Sequence, residues 1–330
     1  MKRNSLFGHR EVSLFLILIF TIGLTSFINP RFVTGSGTRD LFNSTAVVAI
    51  MAVGITPIVI MKHIDLSIAS IVGFSAWLIA DLCAKHPWFT TWHAFIVGPL
   101  IGAAVGVLNG FLVAGLRLPA LVVTLGTLYI VRGLDYVVSN SVDYNAQDLP
   151  KSMVALGEKT YFGLLPFPFL LVLIFMITAG LYMRYRKPGR DRYAIGSNAH
   201  AAELVGIKVF QRTFLAFVFS GATAGLAGVL YLMRFAQVDA TAFYGQELGV
   251  VAAVVIGGIS INGGIGTPYG AVIGALLVQS IQGGLSALGV DAFWKQAING
   301  TLLIIALFAD RVLARRAEQA LLAQRIKERA

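Results

Sequence analysis

Few residues in this chain carry types and spacings that could do chemistry. Three carboxylates, Asp65, Asp135 and Glu247, stand near the ends of apolar stretches, the setting in which acids move protons or ions across a membrane. Five histidines, His9, His63, His86, His93 and His200, form no H-x-x-x-H pair, and neither Cys83 nor any serine has a nucleophile context, so zinc hydrolysis and acyl transfer lack a signature. The fragment Gly157-Glu158-Lys159-Thr160 lacks the first glycine of a phosphate loop at the right spacing, so nucleotide hydrolysis belongs elsewhere. A single cysteine excludes an internal disulfide framework and any multi-cysteine metal site. No metal or cofactor is implied.

Hydrogen bonding remains. Asn109, Thr124, Thr127, Gln279, Gln282 and Asn299 fall within apolar runs and can bond a passing hydroxylated solute, or else a neighbouring helix. Asp65 and Ser67 belong to Met61-Lys62-His63-Ile64-Asp65-Leu66-Ser67, a charged interruption just after Pro57, which itself interrupts a span. Gly257-Gly258-Ile259-Ser260-Ile261-Asn262-Gly263-Gly264 is its glycine-rich counterpart in the other half. Unwound backbone at membrane depth is tolerated only where protein buries it or it lines a wet cavity. These two breaks are the candidates for a transport path; the competing reading of the first is a turn in which Asp65 caps the next helix. Arg132 and Asp135, three apart, can pair and anchor the outer surface.

The elements that position these residues follow from composition. With 57% hydrophobic and 13% charged residues over 330, and a mean hydropathy of +0.78, the chain is an all-α polytopic membrane protein, since a soluble domain carries about 25% charged residues. Its net charge of +10 lies in clusters at the ends of apolar runs, without the aromatic interleaving that tracks a nucleic acid strand. Lipid, and no nucleic acid, is the expected surrounding. Apolar runs predict ten spans: Val12 to Ile28, Leu41 to Met61, Leu66 to Cys83, Ala94 to Leu116, Ala120 to Val138, Gly163 to Met183, Thr213 to Phe235, Leu248 to Ile261, Tyr269 to Leu288 and Trp294 to Ala309. The eighth is short and Gly-rich, so it spans, re-enters or breaks.

The domain layout is one permease-like unit. It has a cytoplasmic N-terminus (1–11), six spans (12–183), a cytoplasmic loop (184–212), four spans (213–309) and a cytoplasmic tail (310–330). With both termini inside, 18 Lys and Arg face the cytoplasm and 6 the exterior, as the positive-inside rule requires. A weak internal repeat links Ile101-Gly102-Ala103 with Gly126-Thr127-Leu128 to Ile273-Gly274-Ala275 with Gly300-Thr301-Leu302. The span count inverts one copy relative to the other. Glycines four apart, Gly102, Gly106 and Gly110, then Gly266, Gly270 and Gly274, predict two close helix crossings.

The long polar interval Arg184 to Arg212 carries seven basic residues against Asp191 and Glu203. Within it Ala199 to Leu204 reads as a short helix: Asn198 caps it, Ala201 and Ala202 favour it, and Gly206 stops it. A capped helix at the membrane surface is a docking element; on charge alone, the loop could serve topology only.

The residues also carry a resemblance. Asn29-Pro30-Arg31-Phe32, Ile64-Asp65-Leu66-Ser67, Asn109-Gly110, Pro119 with Thr124-Leu125-Gly126-Thr127, Arg132-Gly133, Ala194-Ile195-Gly196-Ser197-Asn198 with Ala201-Ala202 and Gly206-Ile207, and Ile256-Gly257-Gly258 with Gly263-Gly264 occur in order over nearly the full length. In this the chain resembles the permease subunits of bacterial ATP-binding-cassette sugar importers of the ribose, arabinose, xylose, rhamnose and autoinducer-2 group. The resemblance implies an inner-membrane permease without enzymatic activity, whose central loop docks on a separate ATPase subunit. It also implies a periplasmic sugar-binding protein that delivers the solute and a second permease, identical or related. Ala201 and Ala202 would then set how closely the short helix seats, and Glu203 would pair across the interface. The chain departs from the family pattern at Lys62 and His63, where two glycines are usual, at Ser197, and at Val205. An ion-coupled carrier is the alternative; it calls for intramembrane carboxylates beyond these three near span ends.

Overall fold

The computed structural model describes residues 9–291, 294, 297, 298, 300–305, 308, 311 and 312. The α-helices are α1 (His9–Ile28), α2 (Gly35–Ile60), α3 (Ile68–Lys85), α4 (Thr91–Gly110), α5 (Ala120–Ser139), α6 (Lys151–Glu158), α7 (Phe167–Tyr185), α8 (Lys187–Ser197), α9 (Ala199–Leu204), α10 (Val209–Phe235), α11 (Glu247–Ile256) and α12 (Pro268–Ala287), and the described residues from 294 to 312 are helical as well. Two short antiparallel strands, β1 (Thr160–Tyr161) and β2 (Leu165–Pro166), make a hairpin before α7. The protein is an all-α polytopic membrane protein.

Seven described helices, α2, α3, α4 with its π-helical extension to Gly115, α5, α7, α10 and α12, are long and apolar enough to cross a bilayer. The apolar part of α1, Leu14–Ile28, and α11 are shorter. Seven of the ten expected spans thus have a long helix. The expected span Trp294 to Ala309 lies partly outside the described residues. The interruption expected at Pro57 is not there: α2 runs through it to Ile60, and the break falls at Lys62. The expected sixth span begins at Phe167, because the β-hairpin occupies the residues just before it.

Burial sorts the helices into layers. The apolar window of α2 is 94% buried and those of α3 and α10 are 72% buried, against 33% for α4 and 28% for α7. A helix apolar all round belongs inside a bundle, so α2, α3 and α10 form the interior and α4 and α7 present one face to lipid. The close crossings expected from glycine exist, except that Gly266 precedes α12 and lies against Ile259 instead of in the stripe. On α4, Gly98, Gly102 and Gly106 face Gly225, Gly221 and Phe217 of the antiparallel α10, and a Cβ on Gly102 would overlap the Gly221 carbonyl. On α12, Gly270 and Gly274 meet Gly257 and Ala253 of α11.

Two ends result. The first gathers 29–41, 86–91, 139–166, 235–246 and 287–290, tied by Asn29 to the Ala287 carbonyl at 3.0 Å, Thr91 to Ser152 at 2.7 Å and the Tyr144–Val238 bridge. The second gathers 61–67, 111–119, 186–208 and 257–267, tied by the Gly264 amide to the Ile60 carbonyl at 2.9 Å and by Arg212 to Asp191 at 2.8 Å. α4 starts at the first end and α12 at the second, so the two glycine stripes run in opposite directions.

Candidate functional site

The first break is built by the end of α2. Met61 closes the helix, and Lys62 then takes a left-handed conformation, φ 67°, one that glycine adopts freely and a lysine only at a cost. Three residues on, the Asp65 carboxylate accepts from the Ser67 amide at 3.0 Å and the Ser67 hydroxyl at 2.6 Å, fixing the entry to α3. Its other oxygen accepts from Ser220 of α10 at 2.8 Å, and Asn109 of α4 donates to Ser67 at 2.9 Å. Thr124 of α5 donates to the Ile64 carbonyl at 3.2 Å, and Thr127 donates within its own helix. Asp65, Ser67, Asn109 and Thr124 are fully buried and Thr127 nearly so. A buried carboxylate needs such donors. Asp65, Ser67, Asn109 and Thr124 therefore form, with Ser220, one polar cluster joining the start of α3 to α4, α5 and α10, whereas Thr127 bonds only its own helix. The capping role considered for Asp65 is not realised, since Ser67 is the N-cap of α3; Asp65 instead closes a turn onto Ser67 two residues on, with a cross-helix bond added.

The remaining path candidates lie elsewhere. Gln279 and Gln282 line a cavity of about 710 Å³ at the first end, walled by Tyr231, Phe243 and Tyr244 and by the Asp40–Arg234 pair at 3.4 Å. Asn299 lies outside the described residues.

Beside that cavity is a third irregular segment, which the sequence reading did not find. Between α10 and α11, residues 236–246 are non-helical, opened by Ala236 at φ 50° and held by Asp239, whose carboxylate accepts from the Thr241 amide at 2.6 Å. Arg132 reaches this turn, donating to the carbonyls of Ala242 at 3.0 Å and Ala240 at 3.4 Å, with its guanidinium 5.6 Å from the Tyr244 ring centre. Arg132 is twelve residues into α5, about 18 Å along it at 1.5 Å per residue. It thus supplies donors to carbonyls that lipid could not satisfy. Asp135 lies 3.7 Å from Arg132, and both are buried. The expected pair exists, but it holds the turn inside the protein instead of anchoring an outer surface. The run lacking apolar periodicity, Gln237-Val238-Asp239-Ala240-Thr241, was the available signal. α11, ten residues long, is about half a hydrocarbon thickness. It is the broken alternative of the three considered.

At the second end, α9 has the expected bounds. The Asn198 side chain accepts from the Ala201 amide at 3.0 Å, and Gly206 turns the chain with φ 80°. A second helix was missed: α8, opened by Pro188, whose absent N–H costs nothing in a first turn. Ala202 faces inward and is buried with Ile58, Met61, Ile195 and Phe217, so its small size is set by the seat of α9 on its own bundle. Ala201 and Glu203 are exposed, and Leu204 and Val205 are 75% and 77% exposed. These two apolar residues form the outward tip, and sequence reasoning did not single them out for docking. Beside α9 is a cavity of about 960 Å³ bounded by His63, Arg117, Asn198, His200, Glu203 and Phe210. Burial of His63 against Phe217, ring centres 6.2 Å apart, pushes its pKa below the ordinary 6.5, and burial pushes that of Tyr193, on α8, up to about 12.

Between the two cavities, α10 is buried throughout from Thr223 to Leu230.

Residues 37–307 match the family described as "Branched-chain amino acid transport system / permease component". The chain is similar to the L-arabinose ABC transporter permease protein AraH of Azospirillum brasilense, 32% identical over 304 residues, covering 91% of this chain and 86% of that one. It is also similar to the autoinducer 2 import system permease protein LsrC of Enterobacter sp. (strain 638), 33% identical over 308 residues, 93% of this chain and 88% of that one. To the ribose import permease protein RbsC of Escherichia coli (strain K12) the identity is 30% over 300 residues, 89% of this chain and 92% of that one. No solved structure matches.

Proposed function

The chain belongs to the family of branched-chain amino acid transport system permease components, and on that premise we propose that it is the membrane permease of an ATP-driven sugar importer. Its cargo is a pentose, a deoxyhexose such as rhamnose, or a similar polyhydroxylated solute, brought by a periplasmic binding protein. The observation that carries this reading is near full-length similarity to permeases named for arabinose, autoinducer 2 and ribose. A polyhydroxylated solute is held by ring faces and hydrogen-bonding groups, which suits a first-end cavity that sets Tyr231, Phe243 and Tyr244 beside Gln279, Gln282 and the Asp40–Arg234 pair, within the size range of small-molecule sites.

In this reading the whole chain is one permease unit of the bacterial inner membrane. The second end, carrying Lys62, Arg117 and the basic residues of 184–212, is cytoplasmic, as are both termini. The motor is a separate ATPase subunit that docks on α9 through Ala201, Glu203, Leu204, Val205 and Gly206, with Asn198 as cap and Ala202 as the inward anchor. The buried middle of α10 favours a solute route between two permease copies, identical or related, over one through a single chain.

The test is uptake in sealed inside-out and right-side-out vesicles bearing the complete transporter and its binding protein, with labelled L-arabinose, D-ribose and L-rhamnose. Accumulation driven by ATP on the cytoplasmic side is expected. Uptake driven by an imposed proton or sodium gradient without ATP would make the chain an ion-coupled carrier.

A further inference from the structure

At the second end three chain segments that are far apart in sequence converge within hydrogen-bond distance. Gly196, near the end of α8, packs against the first break so closely that a Cβ there would overlap the Ile60 carbonyl. The same carbonyl accepts from the amide of Gly264, in the second break, at 2.9 Å. Tyr193 of α8 donates to the Gly266 carbonyl at 2.9 Å. One side chain crosses the whole junction: the Lys62 stem passes over Gly263, where a Cβ would meet its Cγ at 2.5 Å, and its ammonium donates to the Ser197 carbonyl at 3.2 Å. Ser197 is the last residue of α8, where helix carbonyls lack partners and carry partial negative charge, so a cation is favoured there. Asn198, the next residue, caps α9.

Lys62 sits at this crossing in a left-handed conformation, φ 67°, which stability alone would give to glycine. Strain kept at one position, with its side chain reaching a joint, is the pattern of a functional constraint. Resting on the importer reading above, we propose that Lys62 is a positioning residue for coupling, tying the first break to the α8–α9 joint so that displacement of α9 by the docked motor moves both breaks together.

The backbone and the side chain make opposite predictions for one substitution, which makes the test decisive. Lys62→Gly removes the strain, so a merely structural role predicts a protein at least as stable as wild type. The coupling role predicts that the complete transporter, purified through a tag on this chain, keeps its ATPase subunit and its ATP hydrolysis but moves about fivefold less sugar per ATP, the population change that about 1 kcal/mol produces. Lys62→Met, which keeps the stem, should lose a similar factor, and Lys62→Arg should recover most of it. Independently of any sugar, Lys62→Met should speed hydrogen exchange of the backbone amides from Ser197 to Gly206. Unchanged exchange there, or an unchanged ratio of sugar to ATP in both Lys62→Gly and Lys62→Met, would overturn the proposal. Absence of ATP-driven uptake in wild type would instead overturn the importer reading, while the exchange measurement still decides whether Lys62 holds the joint.

Discussion

Gly221→Ala adds a single methyl group at the centre of the bundle, and the structure gives its cost. A Cβ on Gly221 would overlap the carbonyl of Gly102, and one on Gly102 would overlap that of Gly221, so neither helix can yield locally. The axes of α4 and α10 must separate. Overpacking of this kind costs about 1 to 3 kcal/mol, and each weak Cα–H···O hydrogen bond broken as the axes part adds about 0.5 to 1 kcal/mol. Against this stands about 1 kcal/mol of helix propensity gained by alanine over glycine. The net expectation is a loss of about 1 to 3 kcal/mol. Gly23→Ala on α1, where a Cβ meets nothing within 4 Å, keeps only the propensity gain, about 0.5 to 1 kcal/mol. The assay is thermal unfolding of each purified variant in mild detergent, followed by the fraction that remains monodisperse. The two substitutions should shift the midpoint in opposite directions; a Gly221→Ala variant as stable as wild type would refute the close-crossing account.

Three further outcomes follow from buried or exposed groups. Arg132→Met leaves Asp135 buried without its cation and the 240–242 carbonyls without donors, at a cost of about 3 to 5 kcal/mol; adding Asp135→Leu should restore part of the stability in the same unfolding assay. His63 is held neutral in the folded protein, so its contribution is complete above about pH 6.5 and is lost as pH falls through lower values. Melting measured from pH 7 to pH 5 should therefore fall more steeply for wild type than for His63→Gln. Leu204→Asp and Val205→Asp, on side chains that touch little of their own bundle, should leave the permease folded yet reduce recovery of the ATPase subunit about 5- to 150-fold, as 1 to 3 kcal/mol of lost interface requires; full recovery with both would move the docking surface away from the tip of α9.

Features governed by local rules were legible in the sequence. α9 needed only an N-cap, two alanines and a glycine that could turn left-handed. The glycine stripes needed only a spacing of four, although their partners, Gly221 and Gly225 on α10, went unremarked because alanine and leucine surround them. What stayed hidden depended on contacts between distant segments. Asp65, Ser67, Asn109 and Thr124 were separately visible as polar residues in apolar runs, yet only folding joins them into one buried cluster with Ser220. Ala202 suits an outward contact as well as an inward one, because small size on a helix allows any close approach; its inward direction is set by the seat of α9 on Ile58 and Phe217. The 236–246 turn was missed because its carbonyls are satisfied by Arg132, more than a hundred residues away. Pro57 predicts a break by its type alone, but α2 is buried there and continues past the missing hydrogen bond to Ile60.

The central claim is that the α8–α9 end faces the cytoplasm and receives the motor. It is tested most directly by thiol labelling of single introduced cysteines in intact cells, since Cys83 is buried and should stay silent. Phe162, 92% exposed at the first end, and Val205, 77% exposed at the second, are the positions to use. Phe162→Cys should react with a membrane-impermeant maleimide from outside. Val205→Cys should react only after the membrane is opened, and then slowly when the ATPase subunit is bound. Labelling of Val205→Cys from outside intact cells would contradict the claim.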